Sequence, residues 1–303
     1  MLNKLCGTFI NLTFLLMATN ALASATPWME FSQQNGHVKV PVTVADVPGY
    51  AILDTGAQVN AINTSFIGKN ELKLNAVGNM KIQGVYGTEQ RTTYNGVPIS
   101  LLVIDTKLNS LVEVNLGFHE NALLLGAGFF NMFILQLDYP NQKLRFVSHD
   151  AVNMRKLRNV RAEQDKGSGM PIVEVEIAEG KKIWLLLDTG NSGGMLIDRL
   201  VAESLGWLDE LEVETKLSAG VNKIAVTESF RIPEFKIGPY VLEDVLVSIP
   251  AEGETANLQS QHSALGSRIR GRKVQGLIGY DVLQHFLITI DYKGGHVHMG
   301  LPQ

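Results

Sequence analysis

The sequence predicts a mainly β fold built from two similar halves. Three observations carry that expectation. Asp-Thr-Gly occurs twice, at Asp54-Thr55-Gly56 and Asp188-Thr189-Gly190, each time after an apolar run (Tyr50-Ala51-Ile52-Leu53 and Ile183-Trp184-Leu185-Leu186-Leu187). A stretch of 21 residues beginning at Gly126, GAGFFNMFILQLDYPNQKLRF, aligns without a gap with GYDVLQHFLITIDYKGGHVHM beginning at Gly279, an offset of 279 − 126 = 153. Residues from His37 to Val44 and from Pro171 to Ile177 alternate apolar and polar, as half-buried strands do.

The elements follow in chain order. Lys4, the apolar stretch Phe9 to Ala18 and an Ala21-Leu22-Ala23 cleavage site before Ser24 read as a secretory signal peptide, residues 1–23. An uncleaved anchor is the alternative, although the stretch is short for a membrane span. Cys6 is the one cysteine, so the mature protein would have none and would rest on its core rather than on disulfides. Export to a bacterial periplasm, or secretion, suits this combination. A first lobe is expected over residues 24–150, a polar linker over 151–169 and a second lobe over 170–303.

Within each lobe Asp-Thr-Gly comes early and an apolar-apolar-Gly element late, Leu124-Leu125-Gly126 and Leu277-Ile278-Gly279. The late element reads as strand, tight glycine, short helix, then strand and hairpin. The separations are 126 − 54 = 72 and 279 − 188 = 91 residues, so the second lobe holds 19 more. The polar stretch Ala251 to Lys273, with little that could enter a core, is where they are expected.

The duplication also points to chemistry. A lone carboxylate at a buried strand end is costly to ionise, whereas two facing each other share a proton and supply an acid and a base. From ordinary residue usage a given tripeptide of this kind is expected about 0.05 times in such a chain, so a pair of unrelated turns explains little.

The paired Asp-Thr-Gly loops, each followed by an apolar-apolar-Gly segment, resemble the aspartic proteases of the pepsin and retropepsin superfamily, two-lobed within one chain. The GYDVLQHFLITIDY stretch is most similar to bacterial retropepsin-like proteins. The resemblance implies an all-β, two-lobed acid-protease barrel duplicated about a pseudo-twofold axis, in which Asp54 and Asp188 form the catalytic dyad. It also implies that Thr55, Gly56, Thr189, Gly190 and Asn191 support the loops, with the threonines bonding across the axis. The segment Ile82 to Glu89 resembles the flap hairpin, with Gly84, Tyr86 and Gly87 as substrate-binding positions; an ordinary hairpin with a packed tyrosine is the alternative. Leu217-Ser218-Ala219-Gly220-Val221 is a weaker second flap.

The implied activity is endopeptidase action on polypeptide bound in extended form, without metal or cofactor, in a site completed by one chain and hence by a monomer. Asn191 departs from the Ser, Thr or Ala usual at its position, where Ala57 conforms. A relative that binds peptides and cleaves them poorly is therefore a second reading. A third comes from Gly190-Asn191-Ser192-Gly193-Gly194, which resembles the nucleophile signature of trypsin-like and HtrA-like serine proteases. Ser192 would then need a base from His37, His119 or His149 and an acid such as Asp105, none in that family's context. The run Met195 to Leu205 has apolar positions at helical spacing before Gly206, unlike the strand of a trypsin-like fold.

Other classes are poorly supported. His296 and His298 alternate on one strand without acidic or cysteine partners in sequence, so a solvated terminal strand is expected rather than a metal site. The basic runs Arg155, Lys156, Arg158, Arg161 and Arg268, Arg270, Arg272, Lys273 lie in a chain of net charge −4 and read as exposed loop or linker, not as a nucleic-acid surface. There is no phosphate-binding glycine loop. About a dozen residues separate Ser24 from the first long strand, which leaves no room for a long inhibitory prosegment.

Overall fold

The structure, a computed structural model, describes residues 25–102, 104–220, 224–258 and 271–302. The signal-peptide expectation and Cys6, together with Val221, Arg268 and Arg270, fall outside them. Strand outweighs helix, 53 % to 11 %, as the all-β expectation requires. Among the described residues no helix is long and apolar enough to cross a membrane.

Each lobe repeats one arrangement around its Asp-Thr-Gly loop. In the first, strand His37–Val44 pairs antiparallel with Val47–Leu53, and Val47–Leu53 lies parallel to Asn121–Leu125, with Leu53 opposite Leu125. In the second, Pro171–Ala178 pairs with Lys181–Leu187, which lies parallel to Val274–Ile278 with Leu187 opposite Ile278. Short strands Ala61–Asn63 and Met195–Ile197 run antiparallel beside Asn121–Leu125 and Val274–Ile278. The alternation in sequence has its physical basis here: Val38, Val40, Val42 and Val44 all point into the core, as do Val173, Val175 and Ile177.

The apolar-apolar-Gly segments brace the aspartate loops. Leu125 accepts a hydrogen bond from Asp54 N–H at 3.0 Å, and Ile278 accepts one from Asp188 N–H at 2.9 Å. A Cβ at Gly126 would lie 2.6 Å from the Ala57 and Val59 carbonyl oxygens, and one at Gly279 would lie 2.6 Å from the Gly193 oxygen. Only glycine allows that approach. Both glycines lead into one-turn helices, Ala127–Phe130 and Tyr280–Leu283, as the repeat predicts.

The lobes are joined by a five-stranded sheet taken largely from the repeat. Ile134–Asp138 pairs antiparallel with Leu287–Asp291, and Gln136 faces Thr289. Those two are repeat counterparts 153 positions apart, with Gln136 Nε2 donating to Thr289 Oγ1 at 3.1 Å, so the pseudo-twofold axis passes between them. One apolar cluster runs from Val38 and Leu53 through Phe129, Phe130 and Phe146 to Leu187 and Ile278, which fixes the lobes on a shared core.

Three local expectations are refined. The segment 151–169 carries helix Met154–Leu157 and strand Ala162–Gln164, and the strand pairs with Pro171–Ala178. The helical reading of Met195 to Leu205 holds only for Arg199–Ser204. Met195, Leu196 and Ile197 are buried in a ladder instead, and the Asp198 side chain caps the helix by accepting from Leu200 N–H. The stretch from Ala251 is not wholly outside a core, because Ala256 and Leu258 pack on a small apolar cluster under the first hairpin tip. Of the basic residues, Arg161 and Arg272 lie over the Trp184 ring at 5.6 and 4.9 Å and bond Glu174 and Glu163, so their charge is already engaged.

Candidate active site

Both Asp-Thr-Gly loops begin where a buried strand ends, and the duplicated sheets bring them face to face. The threonines lock them. Thr55 N–H donates to Thr189 Oγ1 at 3.0 Å, and Thr189 N–H donates to Thr55 Oγ1 at 3.0 Å. Each hydroxyl then donates across to the opposite strand, Thr55 Oγ1 to the Leu187 carbonyl at 2.8 Å and Thr189 Oγ1 to the Leu53 carbonyl at 2.7 Å. Both residues are buried. Each hydroxyl accepts one buried N–H and spends its single hydrogen on one buried carbonyl, so two side chains hold two loops in one geometry.

The glycines set how close the carboxyls come. A Cβ on Gly56 would lie 2.4 Å from Asp188 Cγ, and a Cβ on Gly190 would lie 2.4 Å from Asp54 Cγ. Each loop therefore presents its bare glycine backbone to the other loop's carboxyl. Gly56 N–H donates to Asp54 Oδ1 at 2.8 Å and Gly190 N–H to Asp188 Oδ1 at 2.9 Å. Each aspartate residue keeps some solvent contact, but protein crowds its carboxyl group. Desolvation raises the Asp54 pKa, and desolvation together with the Asp54 charge raises that of Asp188 well above the ordinary carboxylate range. The two carboxyls act directly on each other's ionisation, so the proton belongs to the pair.

Asn191 does not put its amide on the dyad. Its Nδ2 donates to the Gly194 carbonyl at 2.8 Å and its Oδ1 accepts from Gly193 N–H at 3.1 Å, while its backbone N–H donates to the Asp188 backbone carbonyl at 3.2 Å and helps to offset the rise in the Asp188 pKa. Ser192 is exposed and packs beside Gly36, and no histidine bonds it among the described residues.

The hairpin of strands Asn75–Gly84 and Gly87–Asn95 has Val85 and Tyr86 at its tip. Tyr86 is only 8 % exposed and reaches the second lobe, where its hydroxyl donates to Ser218 Oγ at 2.9 Å. Ser218 lies in strand Glu214–Ala219, the expected second flap. Gly84 and Gly87 pair across the turn. His296 and His298 join no metal-binding group among the described residues; His298 Nδ1 meets the Leu157 carbonyl at 2.9 Å.

Sequence reasoning missed two supports. Asn60 Oδ1 accepts from Gly126 N–H at 2.9 Å, a task performed in the second lobe by the Gly194 carbonyl, which accepts from Gly279 N–H at 3.0 Å. The Tyr292 hydroxyl donates to the Thr55 carbonyl beneath the dyad. The repeat aligns Tyr139 with Tyr292, but sequence carries no sign of that bond.

Fold and site together bring two Asp-Thr-Gly loops face to face within a duplicated, mainly β fold. Residues 173–282, which include Asp188-Thr189-Gly190 and Leu277-Ile278-Gly279, match the aspartyl protease family. That match supports an aspartic protease family for the chain, as the paired motifs imply. No curated protein matches it.

Proposed function

We propose that the protein is an aspartic endopeptidase whose water nucleophile is activated by Asp54 and Asp188. The reciprocal threonine bonds carry this reading, because they hold two desolvated carboxyls in mutual contact. One carboxylate of the pair takes a proton from water, and the other, protonated, donates to the scissile carbonyl oxygen. The water attacks directly, so no covalent enzyme intermediate forms. Pepsin is the reference example of such proton sharing, and the chemistry is carried over from it.

Substrate lies extended under the hairpin tip, with backbone pairing to the tip and side chains in apolar pockets. The hairpin that carries Tyr86 excludes water and opens between Gly84 and Gly87. A single chain supplies both aspartates, which makes a monomer sufficient. The N-terminal basic, apolar and Ala-x-Ala pattern supports export to the periplasm.

The test is cleavage of an unfolded protein substrate. Asp54→Asn and Asp188→Asn should each lower kcat by about a thousandfold or more, whereas Ser192→Ala should retain most activity. Activity lost in Ser192→Ala and retained in both Asn variants would overturn the reading. Peptide binding without cleavage from about pH 3 to 7 would establish the non-cleaving relative instead.

A further inference from the structure

We propose that residues 256–258 are a resident competitor of substrate, docked on the tip of the first hairpin so that the site is closed until they are displaced. This rests on the endopeptidase reading and adds its regulation.

Asn257 N–H donates to the Val85 carbonyl at 2.7 Å. That carbonyl sits in the tip turn, where an extended peptide would find a free acceptor. The neighbours on either side, Ala256 and Leu258, both pack on the apolar cluster of Tyr86, Leu196, Ala225 and Leu277. Asn257 offers its backbone N–H while the residues on either side both meet the apolar cluster, as residues i and i+2 of an extended peptide can.

The cluster stands beside the dyad. Leu277 is paired with Leu186, two residues before Asp188, and with Leu196 on the other side. Leu196 and Leu277 share their cluster with Tyr86 of the hairpin tip, and Leu186 packs against both this cluster and the main core. Tyr86 is then fastened by its hydroxyl to Ser218, so the tip is held to the second lobe at two points.

The duplicated fold does not need this contact. Residues 256–258 belong to the stretch present only in the second half, where the separation between the motifs is 91 residues against 72. They leave the last long strand through a turn in which Ala251 N–H donates to the Val226 carbonyl at 3.1 Å and Glu254 N–H to the Ala251 carbonyl at 2.9 Å. Ala256, Asn257 and Leu258 are each only half-buried, as a displaceable segment requires.

Asn257→Pro removes the N–H and Leu258→Ser removes the apolar anchor, both outside the shared core. In full-length Asp188→Asn protein, which binds without turnover, each change should tighten binding of fluorescein-labelled casein about tenfold, the occupancy that one hydrogen bond and one apolar side chain can hold shut. Amide hydrogen exchange at Val85 and Tyr86 should accelerate, with the thermal unfolding midpoint unchanged. Unchanged or weaker casein binding in both variants would overturn the proposal. Failure of the endopeptidase reading would be seen separately, as absent turnover by the protein with Asp188 intact.

Discussion

The Tyr292 hydroxyl donates to the Thr55 carbonyl, while its repeat counterpart Tyr139, buried as well, has a hydroxyl without a partner among the described residues. The pseudo-twofold symmetry of the shared sheet thus stops short of the layer under the dyad. Tyr292 ties the interlobe sheet to the first aspartate loop, and Tyr139 packs against Phe31 and Tyr280 instead.

Removing the two hydroxyls should therefore have opposite consequences. Tyr292→Phe leaves a buried carbonyl unpaired and should cost about 1–3 kcal/mol in urea unfolding, with a fall in kcat as the Thr55 loop loosens. Tyr139→Phe deletes a buried polar atom that pairs with nothing, and should be neutral or stabilising by about 1 kcal/mol. Equal destabilisation by both changes would contradict the asymmetry.

The threonine lock predicts strict dependence on the hydroxyl. Thr55→Val keeps the side-chain volume but strands Thr189 N–H and the Leu187 carbonyl, both formerly bonded to Thr55 Oγ1. It should lower stability by about 2–4 kcal/mol and abolish most cleavage, while Thr55→Ser restores most of both. Thr189→Val should behave alike, since its bonds to Thr55 N–H and the Leu53 carbonyl mirror the first set. Denaturant midpoints and casein cleavage rates measure both effects.

The sequence made the large features readable because duplication writes them twice. Asp54 and Asp188, the apolar-Gly braces and the paired strands of the shared sheet could each be checked against a second copy. Features that break the symmetry had no such check. Asn60 serves Gly126 through its side chain, whereas the second lobe uses the Gly194 backbone, so no motif links the two. Met195 to Ile197 looked helical because three apolar residues in a row suit either period, and burial between two ladders decided for strand. Asn257 meets Val85 from a stretch with no periodicity, and backbone hydrogen bonds leave no trace in side-chain pattern.

Asn191 marks the departure from the usual loop pattern, and its contacts fix what should follow from changing it. Both ends of its amide are bonded inside its own loop, to Gly193 and Gly194. Asn191→Ala should cost about 1–2 kcal/mol and reduce cleavage by disordering the Asp188 loop. Asn191→Asp loses the donor to the Gly194 carbonyl and places a negative charge beside an already burdened dyad, so activity should fall further and its pH optimum move upward. An Asn191→Asp enzyme with unchanged pH profile would mean that the side chain is electrostatically remote from Asp188.

Burial of the dyad also makes stability depend on pH in a direction opposite to that of a salt-bridged carboxylate. Both aspartates have pKa values raised on folding from 3.8, Asp188 most strongly, with desolvation as the main cause. Above the unfolded value the unfolded chain has released protons that the native pair still holds, so stability declines as pH rises toward the folded values and the cost is complete above them. Asp188→Asn removes the most perturbed group. The variant should unfold at a higher temperature than the parent at about pH 7, and the gap should close near pH 3, where the parent's carboxyls are protonated in both states. The same raised values place the alkaline limb of the kcat/KM profile above the ordinary aspartate range. Calorimetry across pH measures the first effect, and a lower midpoint for Asp188→Asn at neutral pH would show that the dyad is stabilising rather than a cost of function.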